Sequence, residues 1–240
     1  MKPYRIGIVF AHGIQSSPVQ FEHLIERLPD GVRVRNLLLP GHGKTTAEFR
    51  KVRAEQWLDA VEKECAEMSE LCERVIFVGH SMGCLLGLFA NKKLGCLSGM
   101  LLLCCPFHVH FTHRSVKYAV LASLEDYRTD DPFITADREL NGVSAKHPFL
   151  YLFCSRPYLE LLKLIRRARK QSFALPSETL FCFSELDEIV GRKSRLHAQN
   201  KLGAKTRLLS GCSHSYLTPQ AKAEIGDALL DMAARLGEQD

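Results

Sequence analysis

Six short, predominantly apolar segments, separated by longer amphipathic ones, are the feature of this sequence that most limits its fold. The six segments lie at 6–11, 32–38, 74–78, 97–104, 179–183 and 205–209. Apolar runs of this length are typical of parallel strands buried on both faces, whereas the intervening segments have helical spacing. The alternation predicts an α/β fold, with a mostly parallel sheet of about six strands and helices on both of its faces.

The segments between the apolar runs predict five helices. They lie at 17–28, 53–71, 82–93, 192–201 and 220–236. Between 53 and 71, Trp57, Val61, Cys65 and Met68 recur at three- and four-residue steps. This helix is therefore expected to pack one apolar face on the sheet.

One interval breaks the alternation, because about 70 residues separate the fourth apolar run from the fifth, far more than a crossover needs. We predict an inserted helical lid at 106–176, with the core formed by 1–105 and 177–240. Within the insertion, the pattern at 158–170 predicts an amphipathic helix with Leu159, Leu162 and Ile165 on one side. Its basic side is expected to face solvent, with transient contact to a lipid surface as the alternative.

Composition excludes several classes of protein. Hydrophobic residues make up 46% and charged residues 25%, so the 240-residue chain can bury a core. Stable membrane insertion is not expected, because no apolar stretch reaches the roughly 20 residues that span a bilayer, and the N-terminal run is too short for a signal peptide. The net charge of +5 does not indicate a nucleic-acid partner.

Nine cysteines without a CxxC pair predict reduced thiols and a cytoplasmic location. These features do not predict an oligomeric state.

A G-x-S-x-G motif spans 79–83, with an apolar strand before it and an apolar helix after it. Gly79 and Gly83 permit a sharp turn from strand to helix, which exposes a serine hydroxyl at the carboxyl edge of a parallel sheet. The motif therefore predicts that Ser81 is a nucleophile.

A serine nucleophile requires a base and an orienting acid. Asp187 follows the apolar run at 179–183, and His214 follows the run at 205–209, so both are expected at the same sheet edge as Ser81. We predict a Ser81–His214–Asp187 triad, with Glu185 as the alternative acid. Turnover should then rise with pH through an apparent pKa of about 6 to 7.

The first apolar run ends in a glycine turn at His12, Gly13 and Ile14. We expect the backbone amides of Ile14 and Met82 to stabilise a developing oxyanion, and His12 to brace the loop.

Three histidines form an H-x-H-x-x-H pattern at the start of the insertion: His108, His110 and His113. No carboxylate or cysteine completes a metal site there, so they are expected to line a cleft or the surface. The sequence predicts no metal and no cofactor.

These motifs, together with 39–43 and 212–215, resemble the α/β-hydrolases. Among them, the esterase and monoacylglycerol lipase-like branch, which includes serine aminopeptidase-like sequences, is the most similar. The resemblance spans nearly all of the chain outside the insertion. Ser184 is a departure from it, because the family usually has glycine at this position.

The resemblance implies a serine hydrolase that cleaves short to medium acyl esters or monoacylglycerol-like substrates. Ser81 would be the nucleophile, His214 the base and Asp187 the acid, with the oxyanion bound by Ile14 and Met82. The expected partner is a small-molecule ester. A thioesterase or an aminopeptidase using the same triad is an alternative, as is a non-catalytic ligand-binding homologue.

Overall fold

The computed structural model of the chain describes residues 2–110, 112–122, 124, 127–144 and 153–238. The strands are β1 (Tyr4–Ala11), β2 (Arg33–Leu37), β3 (Lys44–Thr45), β4 (Cys72–His80), β5 (Gly99–Leu103), β6 (Val143–Ser144), β7 (Glu178–Ser184) and β8 (Lys205–Leu209). The α-helices are α1 (Glu22–Ile25), α2 (Thr46–Phe49), α3 (Ala54–Leu71), α4 (Met82–Leu94), α5 (His113–Ala122), α6 (Pro132–Leu140), α7 (Ser155–Lys170), α8 (Arg192–Leu202) and α9 (Pro219–Glu238).

Six of the strands form one sheet in the order β2-β1-β4-β5-β7-β8. Every neighbouring pair in this sheet is parallel, so the carboxyl ends of all six strands meet at one edge. Each predicted apolar run has become one of these strands, which confirms the predicted α/β sheet. The short strands β3 and β6 pair with each other in a separate parallel ladder.

The sheet is apolar on both faces because helices cover both. Along β1, Ile8 and Phe10 pack in the cluster that α9 closes, whereas Val9 and Ala11 pack in the cluster on the opposite face, which includes α3 and α4. All four side chains are fully buried. Complete burial of an aliphatic or aromatic side chain of this size contributes roughly 1.5–3 kcal/mol, so these alternating contacts hold the sheet between its helices.

Four of the five predicted helices, now α3, α4, α8 and α9, begin and end close to the expected residues. The prediction at 17–28 was too long, because this segment forms a 3-10 helix (Pro18–Phe21) followed by α1. The amides of Arg27 and Leu28 bond three residues back, to Leu24 and Ile25, so the chain leaves the helix in a tight turn before Pro29.

The predicted helix at 158–170 is part of α7, which packs against α3 and α4. Leu164, Ile165 and Ala168 are buried there, and the Glu160 carboxylate accepts a hydrogen bond of 3.3 Å from the Ala54 amide. Leu159 was wrongly expected on the apolar side of this helix. Its side chain is 56% exposed, because the buried face of α7 is formed by residues such as Leu164 and Ala168.

The division into a core and a lid at 106–176 stays a prediction. Residues 145–152, which include most of the apolar stretch at 148–154, lie outside the described residues. Within the described ranges, no helix combines the length and apolarity required of a transmembrane segment.

Candidate active site

Ser81 occupies the sharp turn between β4 and α4, with φ 51° and ψ −118°. Such a conformation costs a non-glycine residue on the order of 1–3 kcal/mol, and the surrounding contacts hold it in place. The Ser81 amide donates to the Leu103 carbonyl at 2.8 Å, and the Ser81 carbonyl accepts from the Cys84 amide at 3.0 Å. A Cβ atom on Gly83 would lie 1.9 Å from the Ala11 carbonyl oxygen, so glycine is required where α4 approaches the end of β1.

The structure brings together the three predicted triad residues. His214 Nε2 lies 3.0 Å from Ser81 Oγ, and His214 Nδ1 lies 2.9 Å from Asp187 Oδ2. The other carboxylate oxygen of Asp187 accepts hydrogen bonds from the amides of Ile189 and Val190, at 2.9 and 2.7 Å. The Asp187 side chain is 1% exposed and that of His214 is 9% exposed, so water competes little for these bonds.

Glu185, the alternative acid, points elsewhere. Its side chain is exposed, and its carboxylate accepts a hydrogen bond of 3.0 Å from the Gly211 amide. Of the two candidate acids, Asp187 is therefore the one in contact with the His214 imidazole.

Charge coupling between His214 and Asp187 dominates the electrostatics of the site. Burial disfavours a charge on His214, but the Asp187 carboxylate outweighs it and holds the histidine pKa well above its usual value. Burial would likewise raise the pKa of Asp187, but His214 and the two backbone amides lower it overall. The site thus stabilises a charged imidazolium–carboxylate pair.

Two further carboxyl groups near His214 were not expected from the sequence. Glu188 is 5% exposed and accepts a hydrogen bond of 3.3 Å from the His214 amide. Asp137, on α6, interacts with the Ser215 side chain. Burial raises the pKa of both carboxyl groups. The position of Glu188 beside Asp187 could have drawn attention to it, whereas nothing in the sequence links Asp137 to residues nearly eighty positions away.

The loop after β1 lies directly against the serine. A Cβ atom on Gly13 would be 3.1 Å from both Ser81 Cβ and His80 Nδ1. In the described part of the chain, the amide of the next residue, Ile14, donates to no protein group. Met82 is the first residue of α4, where a backbone amide has no intrahelical acceptor. Of the two predicted oxyanion donors, Met82 thus directly follows Ser81 in the chain, and Ile14 lies in the loop that contacts Ser81.

Two histidines brace this loop against the segment at 39–43. His12 Nε2 accepts a hydrogen bond from the Leu39 amide at 3.1 Å, and His42 Nε2 accepts one from the Gln15 amide at 3.0 Å. In each ring the other nitrogen contacts a backbone carbonyl. Burial lowers the pKa of His12 to about 3 and that of His42 to about 4, which keeps both rings neutral and able to accept. These contacts agree with the expected bracing role of His12.

A cysteine thiol also borders the triad. Potential ligand atoms of His80, Cys104 and His214 all lie within 4.8 Å of one another, and the three residues are buried. However, both ring nitrogens of His214 are already hydrogen-bonded to the triad partners, and burial raises the pKa of Cys104 to about 11. The thiol is therefore protonated. Its sulfur lies 3.4 Å from the hydroxyl of Ser184, the residue that replaces the usual glycine.

The three histidines of the H-x-H-x-x-H pattern do not converge. His108 lines a cleft with basic side chains, His110 contacts Gly191, and His113 begins α5. Among the residues that the structure describes, they belong to no group with the ligand spacing of a metal site.

Comparison with known proteins relates the chain to hydrolases. The sequence profile of the alpha/beta hydrolase family matches residues 8–228. Comparison with curated proteins gives no significant match. Among solved structures, the monoacylglycerol lipase of Paleococcus ferrophilus is similar, with 16% identity, 98% coverage of this chain, 96% coverage of the lipase and a TM-score of 0.69.

Two further structures are similar at the level of the fold. A carboxylesterase of Nitrososphaera gargenis has 14% identity and a TM-score of 0.64, with 97% of this chain and 91% of the esterase covered. A deformylase of Pseudomonas putida has 14% identity and a TM-score of 0.64, with 94% of this chain and 93% of the deformylase covered.

Proposed function

The chain belongs to the alpha/beta hydrolase family and forms a six-stranded parallel sheet, and we propose that it is a serine hydrolase acting on carboxylic esters. The proposed substrates are short to medium acyl esters or monoacylglycerol-like molecules. The observation that carries the proposal is the unbroken hydrogen-bonded path from Ser81 through His214 to Asp187, with contacts of 3.0 and 2.9 Å.

In the first half-reaction, Ser81 Oγ attacks the ester carbonyl carbon while His214 Nε2 accepts the hydroxyl proton. The carbonyl oxygen becomes an oxyanion, which the amides of Ile14 and Met82 stabilise. Asp187 holds the imidazole in the orientation that presents Nε2 to the serine, and its charge stabilises the imidazolium. Collapse of the tetrahedral intermediate transfers the proton to the departing alcohol and leaves the acyl group on Ser81.

In the second half-reaction, a water molecule replaces the alcohol. His214 accepts a proton from the water as its oxygen attacks the acyl carbon, and the same two amides bind the new oxyanion. The proton then passes to Ser81 Oγ as the carboxylic acid departs. The raised pKa of His214 supports this role, because it reflects the stabilisation of the imidazolium that forms in each half-reaction.

The triad can be tested with a fluorophosphonate probe, which reacts with an activated serine. We expect the wild-type chain to be labelled at Ser81, and Ser81→Ala to lose labelling and at least about 10³-fold in kcat. Ser98→Ala is the matched control, because its hydroxyl contacts the Val75 amide at the start of β4, away from the carboxyl edge. Retention of a tenth of wild-type turnover by Ser81→Ala would overturn the proposal. An unlabelled, folded wild-type chain would instead favour the ligand-binding homologue.

The same machinery cleaves other activated acyl groups, so the leaving group requires its own measurement. A panel of p-nitrophenyl esters from acetate to palmitate, with an acyl thioester and an aminoacyl anilide, would compare the three chemistries on one enzyme. The proposal predicts the highest kcat/KM for an ester of short or medium chain length. A higher value for the thioester or the anilide would assign the chain to one of the alternative activities.

We further propose that α5 and α6 form the cover of the site within the insertion at 106–176. The Phe133 ring lies 5.3 Å from that of Tyr216, near His214, and the Thr112 hydroxyl donates to the Glu188 carbonyl at 3.4 Å. These contacts support a cover that reaches two of the loops carrying triad residues.

The proposed location remains the cytoplasm. Within the part of the chain that the structure describes, none of the nine cysteines forms a disulfide, and eight of them are buried. The absence of disulfides supports a reducing compartment.

A further inference from the structure

A basic cleft lies apart from the triad, between α7, α8 and the loop after β5. Its volume is about 380 Å³, and its lining residues are Arg166, Arg169, Lys170, His197, Lys201 and His108. The volume lies in the range of small-molecule sites in proteins. The cleft therefore has the size of a ligand site and a lining of basic residues alone.

The four cations of this cleft have no carboxylate partners in the part of the chain that the structure describes. Arg169 and Lys170 lie three and four residues after Arg166 on α7, which brings like charges together. Elsewhere on the same helix, Lys163 pairs with Glu160 at 2.6 Å. The clustered cations repel each other, and a bound anion would remove this cost.

His197 provides an independent indication of a ligand. It is 7% exposed and stacks on the Phe107 ring, with 4.4 Å between ring centroids. Its Nε2 atom is buried without a hydrogen-bond partner among the described residues, which is costly for an imidazole nitrogen. Burial, with further contributions from His108 and nearby cations, lowers the pKa of His197 to about 4. A neutral ring protonated at Nε2 would donate to an anionic oxygen in the cleft.

We propose that this cleft binds the phosphoryl group of a small phosphorylated molecule. A phosphoryl group offers several oxygens to the forked guanidinium groups of Arg166 and Arg169, and a further oxygen to His197. A small ligand fits better than a membrane surface, because the basic residues line a cleft of about 380 Å³, which a planar surface would not enter. The proposal does not depend on the esterase activity, and its test requires no turnover.

The test measures binding of inorganic pyrophosphate to the full chain by titration calorimetry at constant ionic strength. We expect saturable binding at one site, and Arg166→Gln/Arg169→Gln should weaken it by about tenfold or more. The matched control is Lys51→Gln/Lys205→Gln, which removes the same charge from exposed positions outside the cleft and should change the affinity less than about twofold.

A second variant separates binding from folding. His197→Phe preserves the stack on Phe107 but removes the buried nitrogen, so affinity should fall several-fold while the melting temperature stays close to that of wild type. A parallel arm uses vesicles of phosphatidylcholine and phosphatidylserine. Absence of saturable pyrophosphate binding, equal weakening in the control, or binding to vesicles alone would each overturn the proposal, and the last result would assign the basic face to a lipid surface.

Discussion

At the scale of single residues, Asp187 is held more tightly than its contact with His214 alone requires. One carboxylate oxygen faces the imidazole, and the other accepts two backbone amides from Ile189 and Val190. The amides fix the plane of the carboxylate and leave one oxygen for the histidine. The orientation of the imidazole toward Ser81 therefore depends on a short loop after β7.

Replacing Asp187 with asparagine removes the carboxylate charge and keeps the size of the side chain. The amide is nearly isosteric, but its NH₂ group can favour the wrong imidazole tautomer, so we expect kcat to fall by about 10²- to 10⁴-fold. Glu185→Gln should cost less than about tenfold, because this side chain contacts the Gly211 amide instead of the imidazole. Steady-state kinetics of both variants measures the difference. If Glu185→Gln were the more impaired variant, the acid would be two residues away from the proposed one.

The pH dependence of turnover follows from the raised pKa of His214. Only the neutral imidazole can accept the Ser81 proton, and Asp187 holds the histidine pKa well above 6.5. Turnover should therefore rise with pH through a value above the 6 to 7 expected from the sequence. Asp187→Asn removes the carboxylate charge, so the midpoint of its residual activity should move to lower pH. A midpoint that moves upward, or does not move, would contradict this coupling.

At the scale of elements, the segment from α6 to β6 connects three loops of the site. Asp137 interacts with the Ser215 side chain. The Gly142 amide donates to the Gln15 carbonyl at 2.6 Å, and the Gly142 carbonyl accepts from the Gly43 amide at 2.6 Å. A Cβ atom on Gly142 would lie 2.1 Å from the Ser16 carbonyl oxygen, so this approach requires glycine. A displacement of α6 would thus disturb both the loop that carries Ile14 and the loop that carries His214.

Phe133 on α6 is the side chain through which the proposed cover should influence acyl preference. Its ring contacts Tyr216, near His214, and removal of an apolar surface from an acyl site typically changes discrimination by about tenfold or more. We expect Phe133→Ala to lower kcat/KM for octanoate relative to acetate by about this factor. Phe153→Ala, which truncates an exposed ring in the same insertion, should leave the ratio unchanged. Equal ratios in the two variants would remove α6 from the proposed cover.

The sequence predicted the regular elements better than the short ones, for a physical reason. The spacing of apolar residues predicted α3 and the strands of the sheet, because each buries a periodic face. By contrast, β3 and β6 have two residues each, too few to show a period. They are fixed by backbone contacts such as the one between Gly142 and Gln15, which the linear sequence does not contain.

At the scale of the whole molecule, parallel strands made the site predictable in outline. Because every strand of the sheet ends at the same edge, residues just beyond β4, β7 and β8 could be expected to meet, and Ser81, Asp187 and His214 do meet there. The position of α6 next to the loop that carries His214 could not be inferred in this way, because it depends on how the long insertion folds. Asp137 was missed for that reason.

Burial keeps several histidines neutral in the folded chain, and these groups make global stability depend on pH. Burial lowers the pKa of five of them to about 3 or about 4: His12, His23, His42, His80 and His197. Below about pH 6.5 the unfolded chain binds protons at these positions, whereas the folded chain does not until about pH 4. Each such group lowers the free energy of unfolding by up to about 1.4 kcal/mol per pH unit across this window. His214 has a raised pKa and therefore stabilises the folded chain at low pH. This stabilisation is lost only as pH rises above about 6.5, so it does not change between about pH 4 and 6.5.

Urea unfolding at about pH 7, 6 and 5 measures this dependence, with Trp57 as the reporter because it is the single tryptophan and is fully buried. The five histidines together should lower the free energy of unfolding by several kcal/mol between pH 7 and 5, a large part of the roughly 5–15 kcal/mol typical of a domain. His23→Gln removes one of the five groups and should reduce the slope by up to about 1.4 kcal/mol per pH unit. If the wild-type chain were equally stable at pH 7 and 5, the buried histidines would have to take up protons within the folded state. The bonds that His12 and His42 accept through Nε2 would then be lost, and the loop that carries Ile14 would loosen before the protein unfolds.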